Sequence, residues 1–176
     1  MVGSALDKLA AKGEILPGSK QEIALSPIGM VVRAGAKVPD VRTVAALRQT
    51  LLAAKSVAYS DSASGVYIDT TLFKRLGIAE QMKTKAHQIR ATPVAEIVAK
   101  GQAQIGFQEV AELLPVPGVT FVGQLPSEVQ LLTPYAAAVV TRSRHPDLAW
   151  RVVDDLASAE ARPVLEKMGM EPPAPQ

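Results

Sequence analysis

From Val44 to Phe107 short apolar runs alternate with amphipathic stretches, and this alternation constrains the fold more than any other feature of the chain. Residues 56–59, 86–89 and 104–107 read as strands, built around Val57, Ile89 and Ile105. Between and before them the apolar spacing turns helical. Val44, Leu47, Leu51 and Leu52 mark a helix over 44–54 behind Thr43, whose hydroxyl suits an N-cap. A second helix is expected over 66–76, stopped by Gly77, and Thr92-Pro93 opens a third as N-cap and first helical residue. Strands that return only after a helix argue an α/β architecture with a mostly parallel sheet.

The flanks fit the same scheme. Residues 5–12 suggest a short helix closed by Gly13, and 23–25 with 28–33 form two strands or one strand bent at Ser26-Pro27. Residues 108–114 read as a helical turn or two, broken by Pro115-Val116-Pro117-Gly118, and strands follow over 119–122 and 134–141. His145-Pro146 starts a helix with the stripe Leu148, Val152, Val153 and Leu156, and Ser158 caps a last helix reaching Met168. The Pro-rich end, 172–176, is expected to fray. The core is expected to include Leu47, Leu51, Val57, Leu72, Ile97, Ile105 and Phe107.

Composition removes several function classes. With 176 residues, 48% of them hydrophobic and 20% charged, the chain is globular and large enough for one domain or two small lobes. Its 19 Lys and Arg against 17 Asp and Glu give +2 with the signs interspersed, so neither nucleic-acid binding nor membrane insertion is expected. The absence of cysteine excludes thiolate nucleophiles, iron–sulfur clusters and Cys-based zinc sites. Two histidines, His87 and His145, give no basis for a metal site, and no cofactor is expected. Residues 1–14 lack the pattern of a secretory signal.

The chemistry concentrates in the loop Ser60-Asp61-Ser62-Ala63-Ser64-Gly65, between a strand and a helix. Hydroxyls and free backbone N–H groups meet there, which suits a small anion or polar group at the carboxyl edge of a sheet. Ser62 or Ser64 caps the helix, contacts a ligand, or does both. One glycine where three would be needed excludes a dinucleotide fingerprint, and the P-loop spacing is missing too. No Gly-x-Ser-x-Gly elbow or Ser-x-x-Lys pair is present, so catalysis is not expected. Arg33, Arg90, Lys83 and Lys85 are cations that either attract an anionic ligand or coat a solvated face.

Three strings go beyond periodicity: LPGSKQEIALSPIGMVVRAGA (16–36), SDSASGVY (60–67) and GFQEVAELLPVPGVTFVGQLP (106–126). They resemble the molybdate-binding-protein family of extracellular solute-binding proteins over essentially the whole chain. The resemblance implies a type 2 periplasmic-binding-protein fold, with residues 1–34 and 125–176 as an incomplete first lobe carrying the hinge strands and 35–124 as a complete second lobe. It also implies N-terminal truncation, with on the order of 60 to 80 leading residues and two serine-bearing loops missing.

By the same resemblance the ligand contacts fall on Ser62, Ser64, Gly65, Ala91, Gln108 and Glu109. The tyrosine that closes over molybdate in the family corresponds to Glu109 or its neighbour. A carboxylate at about 4 Å from a dianion costs about 8 kcal/mol at an effective dielectric near 20, so the expected ligand is a small polar solute other than molybdate. Gln108 suits hydrogen bonding to such a solute. The function expected is binding without catalysis in the periplasm, for delivery to an ABC permease, with a homodimer covering the incomplete lobe. The effector-binding domain of a LysR-type regulator is the alternative, and a small α/β enzyme ranks third.

Overall fold

The computed structural model describes residues 1–173. It divides into two compact units, one formed by Met1–Ser26 with the chain from Leu132 onward, the other by Pro27–Leu131. The division thus lies at 26/27 and 131/132, against the expected 34/35 and 124/125. It falls inside a single strand, β1 (Gln21–Arg33), which runs straight through Ser26-Pro27.

The sheet of the 27–131 unit has the order β3-β2-β4-β1-β5, with β2 Val57–Ser60, β3 Ala86–Ile89, β4 Ile105–Glu109 and β5 Val119–Gln124. β2 pairs parallel with both β3 and β4, whereas β1 is antiparallel to β4 and to β5. The sheet is therefore mixed. β3, β2, β4 and β5 share one direction and β1 opposes them. A helix separates β2 from β3 and β3 from β4, which produces the parallel pairs, while β1 enters from the other unit.

Side chains alternate across the strands and feed two cores. Met30, Val32, Val57, Tyr59, Ile105 and Phe107 pack with Leu47, Leu51, Leu72 and Phe73 on one face. Val31 and Ala58 face the other way, onto Val94, Val98 and Leu113. Of the expected core residues, Leu47, Leu51, Val57, Leu72, Ile105 and Phe107 are buried, and Ile97 is partly buried against the second cluster. Helix α2 (Val44–Ala53) starts as expected, with the Thr43 hydroxyl accepting the Ala46 N–H at 3.1 Å. Lys85 closes its far end by donating to the carbonyls of Leu51, Leu52 and Ala54 at 2.7–2.9 Å. This ammonium is committed to the fold, not to a ligand.

The helix expected over 66–76 begins three residues earlier. It comprises α3 (Ala63–Tyr67), a π-helical turn Ile68–Leu72 and α4 (Phe73–Arg75), without a break, and a short α5 (Ala79–Met82) follows. Arg75 donates to the Glu128 carbonyl at 2.6 Å and Tyr67 to that of Val129 at 2.8 Å, tying this helical run to 128–129. α6 (Val94–Ala99) is preceded by Pro93 as N-cap, so Thr92 does not cap it. α7 (Val110–Leu113) starts two residues later than expected because Gln108 and Glu109 belong to β4, opposite Gly29 and Ile28.

The other unit contains α1 (Gly3–Ala11), β6 (Leu132–Ala137), which pairs with β1, and α8 (Pro146–Ala157) and α9 (Arg162–Lys167). Its buried cluster is small: Leu6, Ile15 and Ala136. Ser19, fully buried, accepts the Val139 N–H at 3.0 Å and donates to the Leu16 carbonyl at 2.7 Å. α8 buries Val153, while Leu148, Val152 and Leu156 are exposed along one line at i, i+4 and i+8. Val164 and Met168 are exposed as well. Ser158 lies ahead of α9, accepting the Ala161 N–H and donating to the Asp155 carbonyl, but the helix itself begins at Arg162. Glu171 bridges Leu25, and the last part of the tail expected to fray, 174–176, lies outside the described residues.

Candidate functional site

Parallel pairing sets the carboxyl ends of β3, β2 and β4 side by side. The register ends at Ser60 opposite Ile89 on one side, and the Tyr59–Phe107 pair on the other is followed directly by Ser60 and Gln108. Ser60, Arg90-Ala91 and Gln108-Glu109 thus leave three neighbouring strands at one sheet edge, where open α/β sheets hold ligands.

At that edge three hydroxyls form a triangle. Ser60 and Ser62 are 2.7 Å apart, Ser62 and Ser64 3.0 Å, and Ser60 and Ser64 3.2 Å. Ser60 and Ser64 are buried and Ser62 is exposed. Ser62 is the N-cap residue of α3, yet its side chain accepts no backbone N–H. Of the two roles left open for these serines, side-chain capping is not the one Ser62 performs. Gly65 is fixed by contact: a Cβ there would lie 1.6 Å from the Ser60 carbonyl oxygen, so only glycine lets α3 start this close to β2.

Ala91 is exposed and has φ +55°, in the left-handed region where an L side chain is strained by about 1 kcal/mol. Gln108 is buried, and both ends of its amide are engaged. Its oxygen accepts the Val94 N–H at 2.9 Å, one of the N–H groups at the start of α6 that have no partner within the helix, and its NH₂ donates to Glu112. Gln108 therefore brackets α6 to α7 rather than presenting a free amide. Glu109 is buried at the end of β4. Burial and the nearby Glu109 charge raise the Glu112 carboxyl above the usual carboxylate range, while the Gln108 amide pulls it the other way.

Ser60 and Glu112 were not among the expected site residues. Ser60 lay in the serine-rich string but was assigned to the strand edge of the loop; Glu112 left no signal, because its place depends on Gln108 ending a strand instead of starting a helix. Among the cations, Lys83 pairs with Glu80 at 2.8 Å and Lys85 caps α2, whereas Arg90 emerges exposed at the carboxyl end of β3.

Hydroxyls and turns gathered at the carboxyl edge of parallel strands are the arrangement at which α/β proteins hold small molecules. Residues 2–171 match the family model for bacterial extracellular solute-binding proteins, and the chain belongs to that family. Solved structures share the fold. The substrate binding domain assigned to a molybdenum ABC transporter from Clostridium difficile is similar at TM-score 0.74 and 17% identity, over 96% of this chain and 72% of that one. The periplasmic molybdate-binding protein of Azotobacter vinelandii is similar at TM-score 0.66 and 17% identity, over 98% of this chain and 75% of that one. The resemblance drawn from the sequence is thus shown at the level of family and fold, and the LysR-type alternative gives way to it.

An aconitate isomerase of a Pseudomonas species is 46% identical over 172 residues, which cover 98% of this chain and 66% of that protein. This finding overturns the expectation of binding without catalysis. Among the described residues no helix is long and apolar enough to cross a membrane.

Proposed function

We propose that the Pro27–Leu131 unit of this chain carries the serine-edge groups of an isomerase that acts on a small unsaturated polycarboxylate such as aconitate. The observation that carries the proposal is the 46% identity to an aconitate isomerase, sustained over nearly the whole chain. The sheet edge has the groups such a reaction calls for. Carboxylates are strong acceptors, and the Ser60, Ser62 and Ser64 hydroxyls with the first N–H groups of α3 supply donors, while Arg90 supplies charge. Gly65 keeps that backbone close, and the turn at Ala91 shapes the neighbouring rim.

Shifting a double bond requires a group that takes a proton and returns it, and a carboxyl raised above its ordinary range suits that role. Glu112 is that group in this proposal: its carboxylate takes the proton from one carbon of the substrate and returns it to another, it is oriented by Gln108, and burial and the nearby Glu109 charge raise its proton affinity.

The family and the named transporter-associated neighbours favour a second reading, delivery of a solute to an ABC permease from the extracellular side. The test is NMR of the chain with cis- or trans-aconitate in D₂O. Conversion of one isomer into the other with deuterium uptake, weakened in Ser64→Ala and Arg90→Gln, supports the isomerase. Saturable binding without conversion leaves only the solute-delivery reading. Absence of any binding by the chain removes the aconitate assignment.

A further inference from the structure

Away from the serine edge, the Pro27–Leu131 unit holds a half-open cavity of about 420 Å³, within the size range of small-molecule sites. Its inner wall is apolar and partly aromatic. Phe73 and Met82 are buried, and the Tyr59 ring meets Phe73 edge-on with centroids 6.2 Å apart. Its rim carries Asp69, Lys74 and Lys83.

These three charges are not equivalent. Lys83 is held by Glu80 at 2.8 Å. Lys74 has neither a hydrogen-bond nor an ion-pair partner among the described residues, and Asp69 makes no ion pair there. Asp69 lies beside the Tyr59 hydroxyl, which with burial pushes that hydroxyl upward. An anion beside the Tyr59 hydroxyl and a cation, neither with an ion-pair partner among the described residues, therefore flank one apolar wall without neutralising each other.

The π-helical turn explains how they come to share it. Residues five apart on an α-helix diverge by about 140°. The turn Ile68–Leu72 bonds i to i+5, so Asp69 and Lys74 come onto nearly the same side of the helical run. π-turns inside α-helices recur at functional sites, and this one forms the cavity wall.

We infer that this cavity binds a zwitterionic amino acid with an aromatic or large apolar side chain, its ammonium toward Asp69, its carboxylate toward Lys74 and its side chain against Phe73 and Met82. A molecule carrying only one of the two charges leaves the other rim group unmatched. An aromatic side chain uses the Tyr59 and Phe73 rings and the Met82 sulfur. This site is separate from the serine edge and does not depend on the isomerase proposal.

The experiment titrates L-phenylalanine into the whole chain and follows the Met82 methyl by NMR, with 2-phenylethylamine and 3-phenylpropionate as the single-charge analogues. A saturable Met82 shift is expected, with each analogue about tenfold weaker. Lys74→Ala should abolish the preference over 2-phenylethylamine, and Asp69→Asn the preference over 3-phenylpropionate. Both positions are exposed, so the fold should survive, and unchanged thermal unfolding verifies it. Ala79→Phe, which fills the cavity, should remove the shift. No saturable shift by about 20 mM, equal binding of the analogues, or binding that persists in Ala79→Phe overturns the inference.

Discussion

Replacing Gly65 by alanine should damage this protein more than any other single methyl addition to its sheet and helices. The new Cβ would lie 1.6 Å from the Ser60 carbonyl oxygen and 2.5 Å from the carbonyl carbon. A carbon resting on a carbonyl oxygen needs about 3.3 Å, so α3 or the end of β2 must move by about 1.7 Å. Overpacking costs about 1–3 kcal/mol when side chains can yield, and here the obstacle is backbone, so about 3 kcal/mol or more is expected. Gly106 is the control. A Cβ there meets the Val98 and Val94 methyl groups at 2.7 and 2.8 Å, which can rotate aside, and Gly106→Ala should cost about 1–2 kcal/mol. In urea unfolding followed by circular dichroism, Gly65→Ala should lower the midpoint by about 1–2 M. Because Ser64 moves with Gly65, the Ser60–Ser62–Ser64 hydroxyl triangle should be disrupted as well. A Gly65→Ala midpoint equal to wild type, or a smaller loss than Gly106→Ala, would refute the close approach of α3 to β2.

Three further outcomes follow from other residues. The Glu112 carboxyl is raised in the folded state, so its stabilisation is whole below the ordinary value of 4.5 and is lost as pH rises through the raised folded value; Glu112→Gln should lose less stability than wild type as pH rises above 4.5 in urea unfolding at each pH. The Thr133 hydroxyl is buried without a partner, and Thr133→Val, which keeps the shape, should raise stability by about 1 kcal/mol, seen as a higher melting temperature; a fall would show a hidden partner. Changing Leu148, Val152 and Leu156 together to glutamine should reduce binding of a hydrophobic dye and any self-association seen by light scattering, with stability held within about 0.5 kcal/mol, because these side chains already face solvent.

Local chemistry alone determined much of this molecule. The strands at Val57, Ala86 and Ile105, the Thr43 cap of α2 and the stop at Gly77 follow from side-chain shape, hydroxyl geometry and the left-handed freedom of glycine, all of which act within a few residues. The serine-rich loop was legible as a cluster of hydroxyls at the end of a strand, because its chemistry lies within six consecutive residues. What required the tertiary structure was everything set by partners distant in sequence. Gln108 and Glu109 look like the start of a helix, yet pairing with Gly29 and Ile28 from the far side of the unit draws them into β4. That one override turns Gln108 into the cap of α6, places Glu112 against it, and creates the raised carboxyl that no spacing motif announces. The antiparallel course of β1 was equally hidden, since strand direction depends on where a chain enters a sheet. Lys85 read as a free cation until the end of α2 was found against it. The raised Glu112 carboxyl was hidden for the same reason: burial and neighbouring charge, not sequence spacing, set it.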